Sequence, residues 1–197
     1  MAPTPVGLQS PVAEISADPQ GWQVAPPAPP PAVDPAVERA ESINTLISAL
    51  GSCANPLPKK QRVSIARSLH DESAAHGYDP LFITALMQVE SGCLPTAVGG
   101  EAIGLTQMLP STGREVARRV GLPWRGARTL TEPAASLQLG VQYLRELEDM
   151  FDDPYKAMAA YNMGPGRVMR MSSSRAQRTV YVRKVLLRYE QLLDRYA

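Results

Sequence analysis

Apolar residues recur at three- and four-residue steps along most of the chain beyond about residue 37, the signature of helices with one buried face. Val37, Ala40, Ile43, Ile47 and Leu50 predict a first helix. A second is expected over 58–76, with Val63, Ala66 and Leu69 turned inward. Asp79-Pro80 opens a third, because aspartate caps a helix start and proline fits its first turn. The run that follows, Leu81 to Val89, is apolar nearly all round, so this helix belongs inside the protein. Residues 91–109 are glycine-rich and read as irregular. Helical periodicity resumes over 111–120, 132–151 and 153–163. A last helix runs from about 175 to 196, with Tyr181, Val185, Tyr189 and Leu192 on one face. No alternating run or hairpin dipeptide predicts a strand. The expectation is an all-α domain over residues 37–197.

Residues 1–36 lack the pattern. They are rich in proline and alanine, and Pro26-Pro27-Ala28-Pro29-Pro30-Pro31 is polyproline II material. Such a segment builds no core, so a disordered, extended tail or linker is expected there, with Trp22 as a lone exposed ring. No Lys or Arg precedes Arg39, whereas Glu14, Asp18, Asp34 and Glu38 do. With 20 basic and 19 acidic side chains the net charge is +1, which lacks the dense basic stripe of a nucleic-acid reader. No stretch reaches the roughly 20 apolar residues of a membrane span. The N-terminus shows neither a basic n-region nor an apolar h-region, so as written it is not a signal peptide. Two cysteines, Cys53 and Cys93, without clustered histidines make no metal site. They pair as a disulfide if the protein is exported and remain buried thiols if it is not.

Glu90 stands at the end of the apolar helix, just before Ser91-Gly92. An apolar setting disfavours the charged carboxylate, and so does the partial negative charge at a helix C-terminus. Both raise its pKa. A carboxyl that keeps its proton near neutral pH is what protonation of a glycosidic oxygen needs.

The segment Ala85-Leu86-Met87-Gln88-Val89-Glu90-Ser91-Gly92-Cys93-Leu94-Pro95-Thr96-Ala97 resembles the catalytic segment of the soluble lytic murein transglycosylases. Further motifs follow in the same order. Ile103-Gly104-Leu105-Thr106-Gln107-Met108-Leu109-Pro110-Ser111-Thr112 is similar to that family's Gly-Leu-Met-Gln…Pro-x-Thr stretch. Leu139-Gly140…Tyr143-Leu144 resembles its next helix. Ala159-Ala160-Tyr161-Asn162-Met163-Gly164-Pro165-Gly166-Arg167-Val168 resembles its Ala-Tyr-Asn-Ala-Gly-Pro-Gly motif, and Tyr181-Val182-Arg183-Lys184-Val185-Leu186 its closing helix. The likeness covers roughly residues 78–190.

The resemblance implies a lysozyme-like fold with a groove for peptidoglycan glycan strands. It makes Glu90 the single acid/base and assigns substrate-side roles to Ser91, Gln107, Met108, Tyr161, Asn162 and Tyr181. The implied reaction cleaves the β-1,4 bond between N-acetylmuramic acid and N-acetylglucosamine and closes a 1,6-anhydro ring, without cofactor or metal. The implied setting is the periplasm or cell envelope, the protein acting as a monomer, with service to an envelope or secretion assembly left open. The chain departs from the family pattern in three places. The loop from Glu90 to Gln107 is one residue shorter, Gly99 stands where serine is common, and Gln177 stands where glutamate is common. Two other readings remain. One is a muramidase of the goose-type lysozyme kind, with Glu101 activating water beside Glu90. The other is a glycan-binding or scaffold protein with a dead site.

Overall fold

A computed structural model describes residues 34–197, which form one compact unit from Asp34 to Ala197. Residues 1–33 of the expected tail, with Trp22 and the proline run, lie outside the described residues, while its last two residues, Pro35 and Ala36, open the first helix.

Three helices open on an Asp-Pro pair. Helices α1 (Pro35–Leu50), α3 (Pro80–Ser91) and α6 (Pro154–Met163) are capped by Asp34, Asp79 and Asp153, whose carboxylates accept from backbone N–H groups at 2.8–3.1 Å. Each such cap contributes about 1 kcal/mol. Between them lie α2 (Lys59–His76), α4 (Pro110–Val120) and α5 (Pro133–Phe151), the last preceded by a 3-10 turn at Arg128–Thr131.

Helix α3 is central. Leu81, Ile83, Thr84, Ala85, Leu86, Met87 and Gln88 are all buried, as its all-round apolar sequence requires. It packs against α1, α2 and α9 (Val180–Tyr196), and α5 packs against α2 and α6. A smaller core of Met108, Val116, Ala117, Leu130 and Leu139 lies under α4. Tyr143 on α5 packs against both cores, so the space between them is walled by α5.

Four expectations need correction. The last helix is broken. Past a one-turn α7 (Pro165–Val168), a short α8 (Ser173–Gln177) ends, and Thr179 caps a fresh start at Val180, its hydroxyl accepting from the Val182 N–H. The glycine-rich stretch holds a two-stranded hairpin, β1 (Val98–Gly99) with β2 (Ala102–Ile103), too short to leave an alternating pattern. In α1 the buried face is Ile43, Leu46, Ala49 and Leu50, while Val37 and Ala40 are exposed because the helix overhangs the core by nearly two turns. Similarly, Ile65 rather than Val63 is fully buried on α2. Among the described residues no helix is long and apolar enough to cross a membrane.

Candidate active site

A groove of about 650 Å³ runs between the two cores, and Glu90, Gln107, Met108, Tyr161 and Asn162 all line it. Among the described residues, Glu90 is the only carboxylate lining it. The last turn of α3 brings Glu90 out of the apolar core at the groove floor. Burial pushes its carboxyl up to about 7 from an ordinary 4.5, against a smaller opposing pull from Tyr181. The Tyr181 hydroxyl, on the first turn of α9, donates to Glu90 Oε1 at 2.6 Å. Oε2 takes no hydrogen bond from any described residue. Burial and the neighbouring Glu90 raise the Tyr181 and Tyr161 phenols well above their usual range, so both stay neutral donors.

The loop facing the acid is held in an unusual conformation. Ile103 and Met108 exchange backbone hydrogen bonds at 3.0 and 3.1 Å and close a tight turn between them. Gly104 sits at φ +87° with its backbone against the Leu130 carbonyl, where a Cβ would lie 1.9 Å from that oxygen. Gln107 adopts φ +46°, a left-handed conformation costing roughly 1–2 kcal/mol for a residue with a side chain. The surroundings impose it. The Tyr161 hydroxyl donates to the Thr106 carbonyl at 3.0 Å, and the buried Thr106 hydroxyl donates to the Ser136 carbonyl at 3.0 Å.

The Gln107 amide Nε2 donates to the Ala97 and Gly104 carbonyls at 3.2 and 2.9 Å. That fixes the carboxamide and turns Oε1 toward Gly99, where an added Cβ would lie 2.6 Å away. The bare Gly99, in place of the family's common serine, therefore makes room for the Gln107 oxygen.

The remaining sequence candidates fall as follows. Met108 is buried in the smaller core and reaches the groove with one edge, while Asn162 is exposed on the wall. Ser91 turns away from the groove, its hydroxyl donating to the Leu105 carbonyl at 2.8 Å. Cys53 and Cys93 are joined as a disulfide behind the acid. Glu101 is exposed at the hairpin tip and does not line the groove. Gln177 is exposed and borders a separate hollow on the outer side of α9. Sequence reasoning missed Tyr143, Thr112 and Arg167 as lining residues. All three lay inside the quoted motifs, but nothing local marked them as groove-facing.

A family profile described as the transglycosylase SLT domain matches residues 68–182, more than half of the chain. The chain belongs to that family. The matched stretch includes Glu90, both strands and every groove-lining residue named above. The Klebsiella pneumoniae protein named endo-type membrane-bound lytic murein transglycosylase A is 36% identical over 137 residues, covering 62% of this chain and 66% of the relative. Its namesake from Salmonella paratyphi B is 39% identical over 120 residues, covering 54% and 58%. This SLT domain thus spans less than two thirds of those relatives. Among solved structures, an inactive Glu-to-Gln mutant of the lytic transglycosylase Slt from Pseudomonas aeruginosa superposes with a TM-score of 0.56 at 27% identity, over 70% of this chain and 28% of that one. The 70 kDa soluble lytic transglycosylase of Escherichia coli shares the fold at 20% identity, with the same TM-score, over 79% of this chain and 30% of that one. The expected all-α, lysozyme-like domain is the fold found.

Proposed function

We propose that this SLT domain is a peptidoglycan lytic transglycosylase, with Glu90 as its single acid/base. The observation that carries the reading is a groove carboxylate, lone among the described lining residues, whose burial raises its pKa to about 7. Glu90 donates its proton to the oxygen linking N-acetylmuramic acid to N-acetylglucosamine. The muramoyl 2-acetamido oxygen stabilises the positive charge at C1, as in substrate-assisted glycosidases. Glu90, now a carboxylate, takes the proton of the sugar's own 6-hydroxyl, which attacks C1 and closes the 1,6-anhydro ring. The attacking hydroxyl is already held beside C1, so proximity replaces a second base. Tyr181 supports the anionic half of the cycle, because its hydrogen bond strengthens when Glu90 is charged. The Gln107 Oε1 is an acceptor for a substrate N–H or hydroxyl.

Peptidoglycan glycan strands are the proposed partner and the cell envelope the proposed location. The Cys53–Cys93 disulfide suits an oxidising compartment outside the cytoplasm. The names of the relatives, which say murein and membrane-bound, support both.

The test is digestion of purified sacculi by wild type, Glu90→Gln and Glu101→Gln, with products read by mass spectrometry. Products one water lighter than reducing muropeptides, absent with Glu90→Gln and unchanged with Glu101→Gln, are expected. Reducing ends lost in both variants would establish a two-carboxylate hydrolase instead.

A further inference from the structure

The last turn of α3, which carries Glu90, has backbone carbonyls with no partner inside the helix. Such ends fray unless something holds them. The Gly92 N–H donates to the Gln88 carbonyl and the Leu94 N–H to the Ser91 carbonyl, and the turn is further tied to one short segment, residues 52–55, which continues the C-terminal end of α1. Asn55 is bound to this turn three times. Its Nδ2 donates to the Ser91 and Gly92 carbonyls at 3.2 and 3.1 Å, and its backbone N–H donates to the Gly92 carbonyl at 3.2 Å. Two residues earlier, Cys53 is joined to Cys93 across a separation of 40 residues. The segment is itself anchored, since the Ser52 and Cys53 N–H groups donate to the Ala49 and Leu50 carbonyls.

The fit is close. A Cβ on Gly92 would lie 2.8 Å from Asn55 Nδ2. Gly92 and Cys93 take consecutive left-handed conformations, φ 58° and 69°. Two such residues in a row turn the chain sharply out of the helix, and for Cys93 this carries the strain of a side chain at positive φ. The covalent bond and the Asn55 hydrogen bonds meet at that turn. From the opposite side, the Ser91 hydroxyl ties the same turn to the Leu105 carbonyl.

We propose that Asn55 and the Cys53–Cys93 disulfide form a strap that positions Glu90 and keeps water from beneath it. These are positioning residues, acting through the α3 terminus rather than on substrate. The proposal rests on Glu90 being the acid. Releasing the strap lets the last turn fray, with two consequences. The carboxyl loses its alignment with the scissile oxygen, which lowers kcat. Water reaches it, which removes the cause of its raised pKa, so the alkaline limb of the activity profile moves to lower pH.

The experiment compares wild type, Asn55→Ala, the double variant Cys53→Ser/Cys93→Ser, and wild type reduced with dithiothreitol, each as the full chain. In the reduction the S–S bond takes up two electrons and two protons to give two thiols, and the reagent becomes its cyclic disulfide. Anhydro-product formation is followed across pH, well below each melting temperature. The expected result is a kcat lower by about ten-fold, short of the roughly 100-fold that a 1 Å displacement can cause, with KM held and the alkaline limb shifted downward. Reoxidation of the reduced wild type is expected to restore both. If the double variant fails to fold, Asn55→Ala and the reduced protein still decide. Folded protein with wild-type kcat and an unmoved alkaline limb would overturn the strap, and so would a lower kcat with the limb unmoved, which is the mark of simple destabilisation. A fully active Glu90→Gln would instead overturn the underlying assignment of the acid.

Discussion

Replacing Glu90 by glutamine is expected to make the protein more stable, but only above acidic pH. Burial holds the carboxyl at about 7 in the folded protein, against 4.5 for an ordinary glutamate. The folded state therefore binds this proton more tightly than the unfolded chain. Below about 4.5 both states are protonated and the shift has no effect on stability. Between 4.5 and 7 the unfolded chain releases the proton first, and folding loses stability as pH rises. Above 7 the penalty is complete. At ~1.4 kcal/mol per pH unit, it amounts to roughly 3 kcal/mol, with the favourable Tyr181 hydrogen bond already counted in the net shift. Glutamine has nearly the same shape, carries no charge and keeps an oxygen for the Tyr181 hydroxyl. It removes the penalty without opening a cavity. For a domain of this size ~3 kcal/mol corresponds to about 6–12 °C in Tm. Thermal unfolding of both proteins by circular dichroism, near pH 4 and near pH 8.5, checks it. The two are expected to melt together in acid, with Glu90→Gln melting higher in base. An equal difference at both pH values, or a wild type more stable in base, would refute burial as the origin of the raised pKa.

Tyr181→Phe removes the one contact that lowers the Glu90 pKa, so the alkaline limb of kcat/KM is expected to move to higher pH. A hydrogen bond to a charged group is worth about 1.5–3 kcal/mol, so kcat is expected to fall about 10- to 100-fold if the bond is made to the carboxylate during turnover. Gly99→Ser restores the residue common in the family, yet its Cβ falls 2.6 Å from Gln107 Oε1 and must displace that carboxamide. Steady-state kinetics should give a KM higher by about 2- to 10-fold, one neutral hydrogen bond's worth, and an unchanged KM would show that Gln107 Oε1 makes no substrate contact. Gly104→Ala places a Cβ 1.9 Å from the Leu130 carbonyl at φ +87°, and a loss of more than about 3 kcal/mol is expected in chemical denaturation.

What the sequence disclosed depended on the range of the interaction. The buried α3 was legible because nine successive residues, Leu81 to Val89, leave no polar face except Thr84 and Gln88, and Asp79-Pro80 marks its start. The rise in the Glu90 pKa followed from the same run. The break before α9 was missed although Thr179 was there to cap it, because Tyr181, Val185 and Leu192 already made a sufficient stripe and a short helix lies just before them. The hairpin at 98–103 was missed because two residues per strand cannot alternate visibly. Contacts across many residues were illegible by any local rule. The Tyr181–Glu90 hydrogen bond spans 91 positions, and while periodicity placed Tyr181 on a buried face, only resemblance gave it a part in the site. The reason Gly104 must be glycine is the carbonyl of Leu130, which no pattern near Gly104 reveals. Ser91 shows the converse limit: its neighbour is the acid, but its own hydroxyl serves the backbone of the facing loop.

The proposed single-group chemistry and the way Glu90 is tuned depend on one another. Its raised pKa comes from burial, moderated by a neutral phenol, with no second carboxylate lining the groove among the described residues. A neighbouring carboxylate could also have raised it, but would itself have been available to activate water. Burial alone loads the acid and leaves its conjugate base costly, by the same ~3 kcal/mol, once the proton has gone to the leaving oxygen. That buried anion is a strong enough base to recover a proton at once, and the sugar's 6-hydroxyl is the donor already held beside C1. A pKa near 7 serves both halves of the cycle, since donation and recovery are each fastest when the group lies near the working pH. Tyr181 then sets the balance. Without its hydrogen bond the acid would hold its proton more tightly and the anion would be costlier, and with a full positive charge in its place Glu90 would be ionised before substrate arrived.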